Sequence, residues 1–175
     1  MIDLSFLKRL FGDGAERAAL RPLYRAVVGA ARDPRWYREG GVPDTLDGRF
    51  DMVTALLAFV LLRLEQVGAH RESALLTEVF VDDMDSTLRQ IGIGDFVVGK
   101  HVGGMMGALG GRLGAFRAAL AGAEDLGEPV RRNIFREAPP DEAALALVTE
   151  RLRDFNARLG EMGRETLLAG ELPRP

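Results

Sequence analysis

A chain of 175 residues, 47% apolar and 28% charged, is long enough to build one domain around a sizeable core. Its net charge of -3 gives no general pull toward DNA or an anionic membrane. Lack of cysteine excludes disulfides, thiol catalysis and thiolate metal sites, and the two histidines, His70 and His101, are too far apart to pair along one helical turn.

The first predicted element spans residues 2–11. Ile2, Leu4, Phe6, Leu7, Leu10 and Phe11 fall on one broad helical face, with Ser5, Lys8 and Arg9 opposite. It lacks the form of a secretory signal, because its basic residues follow the apolar ones and no cleavage region comes after. The next helix begins near Pro22 with an apolar stripe of Leu20, Leu23, Tyr24, Val27 and Ala31. It stops at Arg32-Asp33-Pro34, since proline disfavours helix at the residue before it. Residues 38–48, rich in Gly, Pro and Asp, read as a loop.

A helix from about Asp47 to Val67 is apolar on nearly every side and belongs at the centre of the fold. Its apolar run, Met52 to Leu62, has eleven residues, whereas a membrane span needs roughly 20. Asp47 is expected to be its N-cap. Another helix runs from about Arg71 to Gln90, with Leu75, Leu76, Val79, Phe80, Met84, Leu88 and Ile91 on its inner face.

Gly94 to Lys100 reads G-x-x-x-x-G-K, most of a nucleoside-triphosphate loop. That motif needs Ser or Thr next, for Mg²⁺, and a strand before it. Here His101 follows and a helix precedes. Gly92 and Gly94 read instead as a helix stop, with Asp95 opening the next helix, to about Leu120. In that helix Gly99, Gly103, Gly107 and Gly111 share a face. Each glycine costs about 1 kcal/mol relative to alanine, so close packing of another helix is expected there, an internal one being favoured over a foreign one, with a helix broken at the glycines as the alternative. Lys100, Arg112 and Arg117 make a small cationic surface. A short helix from Pro129 to Glu137 follows, then one from near Asp141 with a seam of Leu145, Val148, Leu152, Phe155, Leu159 and Met162, capped by Gly163.

The expected fold is therefore an all-α, single-domain helical bundle of about six to eight helices. Residues 1–19 form an N-terminal amphipathic segment, 20–163 the helical domain and 164–175 a loose tail. Two acidic clusters invite a metal. Around Asp44, Asp47 and Asp51, an EF-hand register puts Pro43 and Thr45 at ligand positions, so turn and cap roles with Arg49 as ion partner fit better. Glu78, Asp82 and Asp85 share one helix face with Arg89 a turn on, but no Glu-x-x-His pair accompanies them. A metal-dependent enzyme using those three is the least favoured reading, and no catalytic, cofactor or metal residue is assigned.

Two longer stretches carry a resemblance. Tyr24 to Val53 contains Val42-Pro43-Asp44-Thr45 and Asp47-Gly48-Arg49-Phe50-Asp51. Phe80 to Val102 contains Asp82, Met84-Asp85, Leu88-Arg89, Gly92-Ile93-Gly94-Asp95 and Val98-Gly99-Lys100. In that order they resemble the ubiquinol–cytochrome c chaperone family over roughly residues 20–120. The resemblance implies an all-α, non-enzymatic factor that holds newly made cytochrome b during assembly of the cytochrome bc complex. It also implies a ribosome contact or a small partner protein, and gives the motif residues a structural or partner-contact role. The glycine-rich stretch after Lys100 departs from the family's more basic pattern. A helical module with another client or a regulatory role is the alternative. The expected location is cytoplasmic, with no direct DNA binding. Any membrane association is expected to be peripheral, on the inner face of the cytoplasmic membrane, through the N-terminal segment together with the client; packing of Phe6, Leu7, Leu10 and Phe11 on the domain is the other, slightly favoured reading of that segment.

Overall fold

Eleven consecutive residues with no charge, Met52 to Leu62, can only be accommodated where protein surrounds them, and they set the plan of the molecule. The computed structural model describes residues 14–174, apart from the side chains of Asp95 and Phe96. The amphipathic helix expected at 2–11 lies outside the described residues. Among the described residues there are helices and no strands, as the sequence predicts. They are α1 (Arg21–Ala31), α2 (Pro34–Arg38), α3 (Leu46–Gln66), α4 (His70–Gln90), α5 (Asp95–Leu120), α6 (Gly127–Ile134), α7 (Glu142–Glu161) and α8 (Arg164–Leu168), with residues 14–19 also helical ahead of α1. No described helix is long and apolar enough to cross a membrane.

The central helix is α3: every residue from Asp51 to Leu62 is buried, and α1, α4, α5, α6 and α7 pack around it. The outer helices show it one stripe each. On α1 the stripe Leu23, Tyr24, Val27 and Ala31 is buried, and on α7 Leu145, Val148, Leu152, Phe155 and Leu159 are. Both stripes are the ones the three-four spacing gives. Phe59 of α3 stacks on Phe116 of α5, ring centroids 4.8 Å apart.

Local chemistry moves several boundaries. Thr45, not Asp47, caps α3: its hydroxyl accepts from the Gly48 N–H at 3.0 Å, which leaves Asp47 in the first turn. Pro34 ends α1 as expected but also starts α2, because Asp33 caps the turn by accepting from the Arg35 N–H at 2.9 Å. Asp125 accepts from the Gly127 N–H at 2.7 Å just ahead of α6, which begins before Pro129 and ends at Ile134, short of the expected Glu137. At the far end, Gly163 begins α8 instead of capping α7.

Two expectations about packing also fail among the described residues. The tail is not loose: Leu167 of α8 is fully buried, Leu168 and Leu172 pack on the core, and Arg164 pairs with Glu72. The helix in this tail has only five residues, too few for a periodic signal, which concealed this packing. The glycine face of α5 has no internal partner among the described residues either. The side of α5 that packs inward is Val98, Leu109, Arg112 and Phe116. Gly99, Gly103, Gly107 and Gly111 are exposed, and a Cβ added at any of them would meet nothing.

Candidate functional site

The loop 42–48 and the turn 91–94 lie far apart in sequence, yet both end at one depression. Pro43 and Gly48 make the first of these ends rigid. A Cβ on Gly48 would stand 2.0 Å from the Pro43 carbonyl oxygen, so only glycine permits that approach. Asp44 takes the Arg49 guanidinium at 2.7 Å, and this pairing holds its carboxyl below the usual range. At the second end α4 stops at Gly92, whose φ of 87° is the left-handed conformation glycine favours. Gly94 then caps α5, which Asp95 opens.

Between these ends α1, α3, α4 and α5 leave a groove of about 650 Å³. Phe50 and Val53 line it from α3, Met84 and Leu88 from α4, and Met105 and Ala108 from α5. Three exposed apolar residues stand on its edge: Leu46 at 71%, Ile91 at 58% and Val97 at 45%. Leu120, on another part of α5, is the other large apolar side chain exposed among the described residues. The inner face of α4 explains Ile91: the periodic stripe runs one residue beyond the part of the bundle that covers it.

Charge surrounds the apolar floor. Arg32, Arg49, Lys100 and Arg136 contribute cations, while Asp47 and Asp83 contribute carboxylates. Asp83 accepts from the Tyr24 hydroxyl at 2.8 Å. Burial, then the Asp83 carboxylate, pushes the Tyr24 phenol above its ordinary range, so it remains a donor. Arg136 reaches beneath the groove to Asp51, with Nη2 2.8 Å from Oδ1 and Nε 3.0 Å from Oδ2.

Asp51 is the most deeply placed charge. It is 1% exposed, and Arg112, 2% exposed, pairs with it from α5. Burial pushes the Asp51 carboxyl up, against the pull of Arg136 and Arg112. Arg112 also donates to the Asn133 carbonyl at 2.9 Å, and its guanidinium carbon lies 5.8 Å from the Phe50 ring centre. One buried carboxylate thus ties α3, α5 and the end of α6 together under the groove.

The motif residues divide accordingly. Asp47, Arg49, Phe50 and Lys100 line the groove, while Pro43, Asp44, Gly48 and Asp51 support its α3 wall. Gly92, Gly94 and Asp95 shape the turn between its α4 and α5 walls. Gly99 is on the open face of α5. Asp82, Asp85 and Arg89 lie outside the groove. Arg17 stands between Glu78 and Asp82, 3.7 and 3.4 Å away, and Asp85 pairs with Arg89 at 2.7 Å, so the acidic stripe is an ion-paired surface. The cationic surface expected on α5 also dissolves. Arg112 is spent on Asp51, Arg117 on Glu65 at 2.7 Å, and Lys100 alone remains exposed without a described partner. Lys100 sits on a helix that follows another helix, which is not the setting of a phosphate loop.

Sequence reasoning missed Arg32, Asp83, Arg136 and the exposure of Leu46 and Val97. Arg136 gave no signal, because its partner is 85 residues away. Leu46 and Val97 could have been noticed as apolar residues off the inward stripes of their helices.

Comparisons with known proteins agree with this architecture. The profile described as Ubiquinol-cytochrome C chaperone matches residues 38–174. Among curated proteins no sequence matches. A crystal structure of the Cbp3 homolog from Brucella abortus is similar throughout, with TM-score 0.77 and 28% identity, covering 100% of this chain and 97% of that one. With most of its length matched in sequence and all of it in fold, the chain belongs to the ubiquinol–cytochrome c chaperone family.

Proposed function

We propose that the protein is a non-enzymatic assembly chaperone that binds newly made cytochrome b during biogenesis of the ubiquinol–cytochrome c reductase complex. The observation that carries this reading is the family match over residues 38–174. The groove supports it, since two separated motif segments meet at one apolar, open surface. Exposed apolar area of this kind on a globular chain is a feature of protein-binding sites. A newly inserted multi-span subunit has polar haem ligands without their metal and helix ends without their neighbours. Binding one such end delays wrong pairings until cofactors and subunits arrive.

The test is capture of partners from membranes by the full-length tagged chain. Recovery of cytochrome b lacking the other core subunits is the expected result. Recovery of only mature complex, or of no bc subunit, overturns the proposal. We place the work at the inner face of the cytoplasmic membrane, with Met1–Phe11 contributing only weak lipid contact. Its two basic residues contribute roughly 1 kcal/mol each at an anionic surface, and Asp3 opposes them. Flotation with liposomes should be weak for the full chain, and weaker without residues 1–12. Strong flotation on neutral lipid would contradict this.

A further inference from the structure

The groove's contents and its rim specify more than an apolar partner. Its rim brings four cations and two carboxylates together on a chain whose net charge is -3. Arg49 is engaged by Asp44, Arg136 by Asp51, and Asp83 by Tyr24, while Asp47 lies in the field of Arg136. Arg32 on the α1 side and Lys100 on the α5 side make no side-chain hydrogen bond or ion pair among the described residues. An occupant carrying carboxylates at its flanks gives both of them partners. A basic one meets repulsion from both sides.

The helical walls of the groove point to a helix. All four walls are helices, so no sheet edge is available to an extended peptide. Gly104 lines the groove and Gly103 and Gly107 are open beside it, so an incoming backbone can approach α5 closely. Met84 and Met105 are unbranched and adjust to different apolar side chains. An amphipathic helix uses roughly four anchors at i, i+3, i+4 and i+7, and the groove offers Phe50, Met84, Leu88 and Met105 to receive them.

We infer that the groove receives an apolar helical segment flanked by acidic side chains, seated on Phe50, Met84, Leu88 and Met105 and held at its flanks by Arg32 and Lys100. The inference rests on the reading of the protein as a chaperone for a helical client, and names the chemistry of the client segment.

The test uses the full-length chain and three probes: a labelled Leu/Ala helical peptide with Glu at both ends, its counterpart with Lys, and vesicles of neutral or anionic phospholipid. Anisotropy should show the Glu-flanked peptide binding at least about tenfold more tightly than the Lys-flanked one, a difference of roughly 1.4 kcal/mol. Arg32→Glu with Lys100→Glu should reverse that preference. Ala108→Trp, which fills the floor, should abolish binding of both. The double charge reversal is confined to exposed or half-exposed side chains, so it keeps the test decisive if Ala108→Trp does not fold. Equal binding of the two peptides, an unchanged preference after the reversal, or displacement of peptide by anionic vesicles overturns the inference. Capture from membranes separates this from the functional reading. If folded Ala108→Trp still captures a bc-complex subunit, the groove is not the client site and the chaperone reading stands. If the wild type binds the Glu-flanked peptide in the groove but captures no bc subunit, the groove's ligand class stands and the chaperone reading falls.

Discussion

Asp51 shows how far a single residue's role can depend on the rest of the chain. Its neighbours in sequence suggest a turn or cap aspartate, but the fold buries it between Arg112 and Arg136. Removing one member of a buried pair leaves the other charge uncompensated, at about 3–5 kcal/mol. Asp51→Ala should lower stability by that order in urea unfolding, while Asp51→Leu combined with Arg112→Met should recover most of the loss. Gly48→Ala should cost roughly 1–3 kcal/mol, because the added methyl group must push the Pro43 carbonyl away. Thr45→Ala should cost about 1 kcal/mol and Asp47→Ala clearly less, since the hydroxyl and not the carboxylate holds the cap. Thermal unfolding of the two variants side by side distinguishes the caps. The local ion pair between Arg49 and Asp44 was legible because its partners are five residues apart; Asp51's partners, 61 and 85 residues away, were not.

The helices themselves were readable wherever an apolar period ran for several turns. The buried stripes of α1, α4 and α7 follow the spacing of their leucines and aromatics, and α3 is central because its middle has no polar face. Short elements escaped this method. α2 and α8 have five residues each, too few for a period, and form through a cap and through contact with the body. The sequence places α5 with its observed ends, but the internal helix partner expected for its glycines is not among the described residues. Because a Cβ at Gly103 or Gly107 meets nothing, alanine there should raise stability by about 0.5–1 kcal/mol per site. Differential scanning calorimetry of Gly103→Ala with Gly107→Ala checks this, and an unchanged or lowered midpoint would point to a native-state demand for glycine that solvent exposure hides.

For the whole molecule, the groove was only half visible beforehand. The two motif segments marked its α3 wall and its α4–α5 turn, since those residues carried the family resemblance. Its α1 wall and its cation from residue 136 required the bundle to be closed. Apolar period tells which face of a helix turns inward, but it does not tell where the neighbouring helix stops covering it. Ile91 belongs to an inward stripe and still reaches the surface for that reason.

The pairing of Asp51 with Arg136 has a consequence for timing. Residues 24–32, 46–53, 83–108 and 136 must all be present before the groove has its complete rim. The last of these follows α6, behind most of the bundle-forming helices. A nascent chain that has delivered α1 to α5 carries the apolar floor and the Asp51–Arg112 pair but lacks Arg136, the second arginine on that carboxylate. Such a fragment should expose that floor while its supporting carboxylate is only half paired. The groove gains its full set of supports only once the segment after α6 has folded back against α3, so it is completed late in the chain's own synthesis.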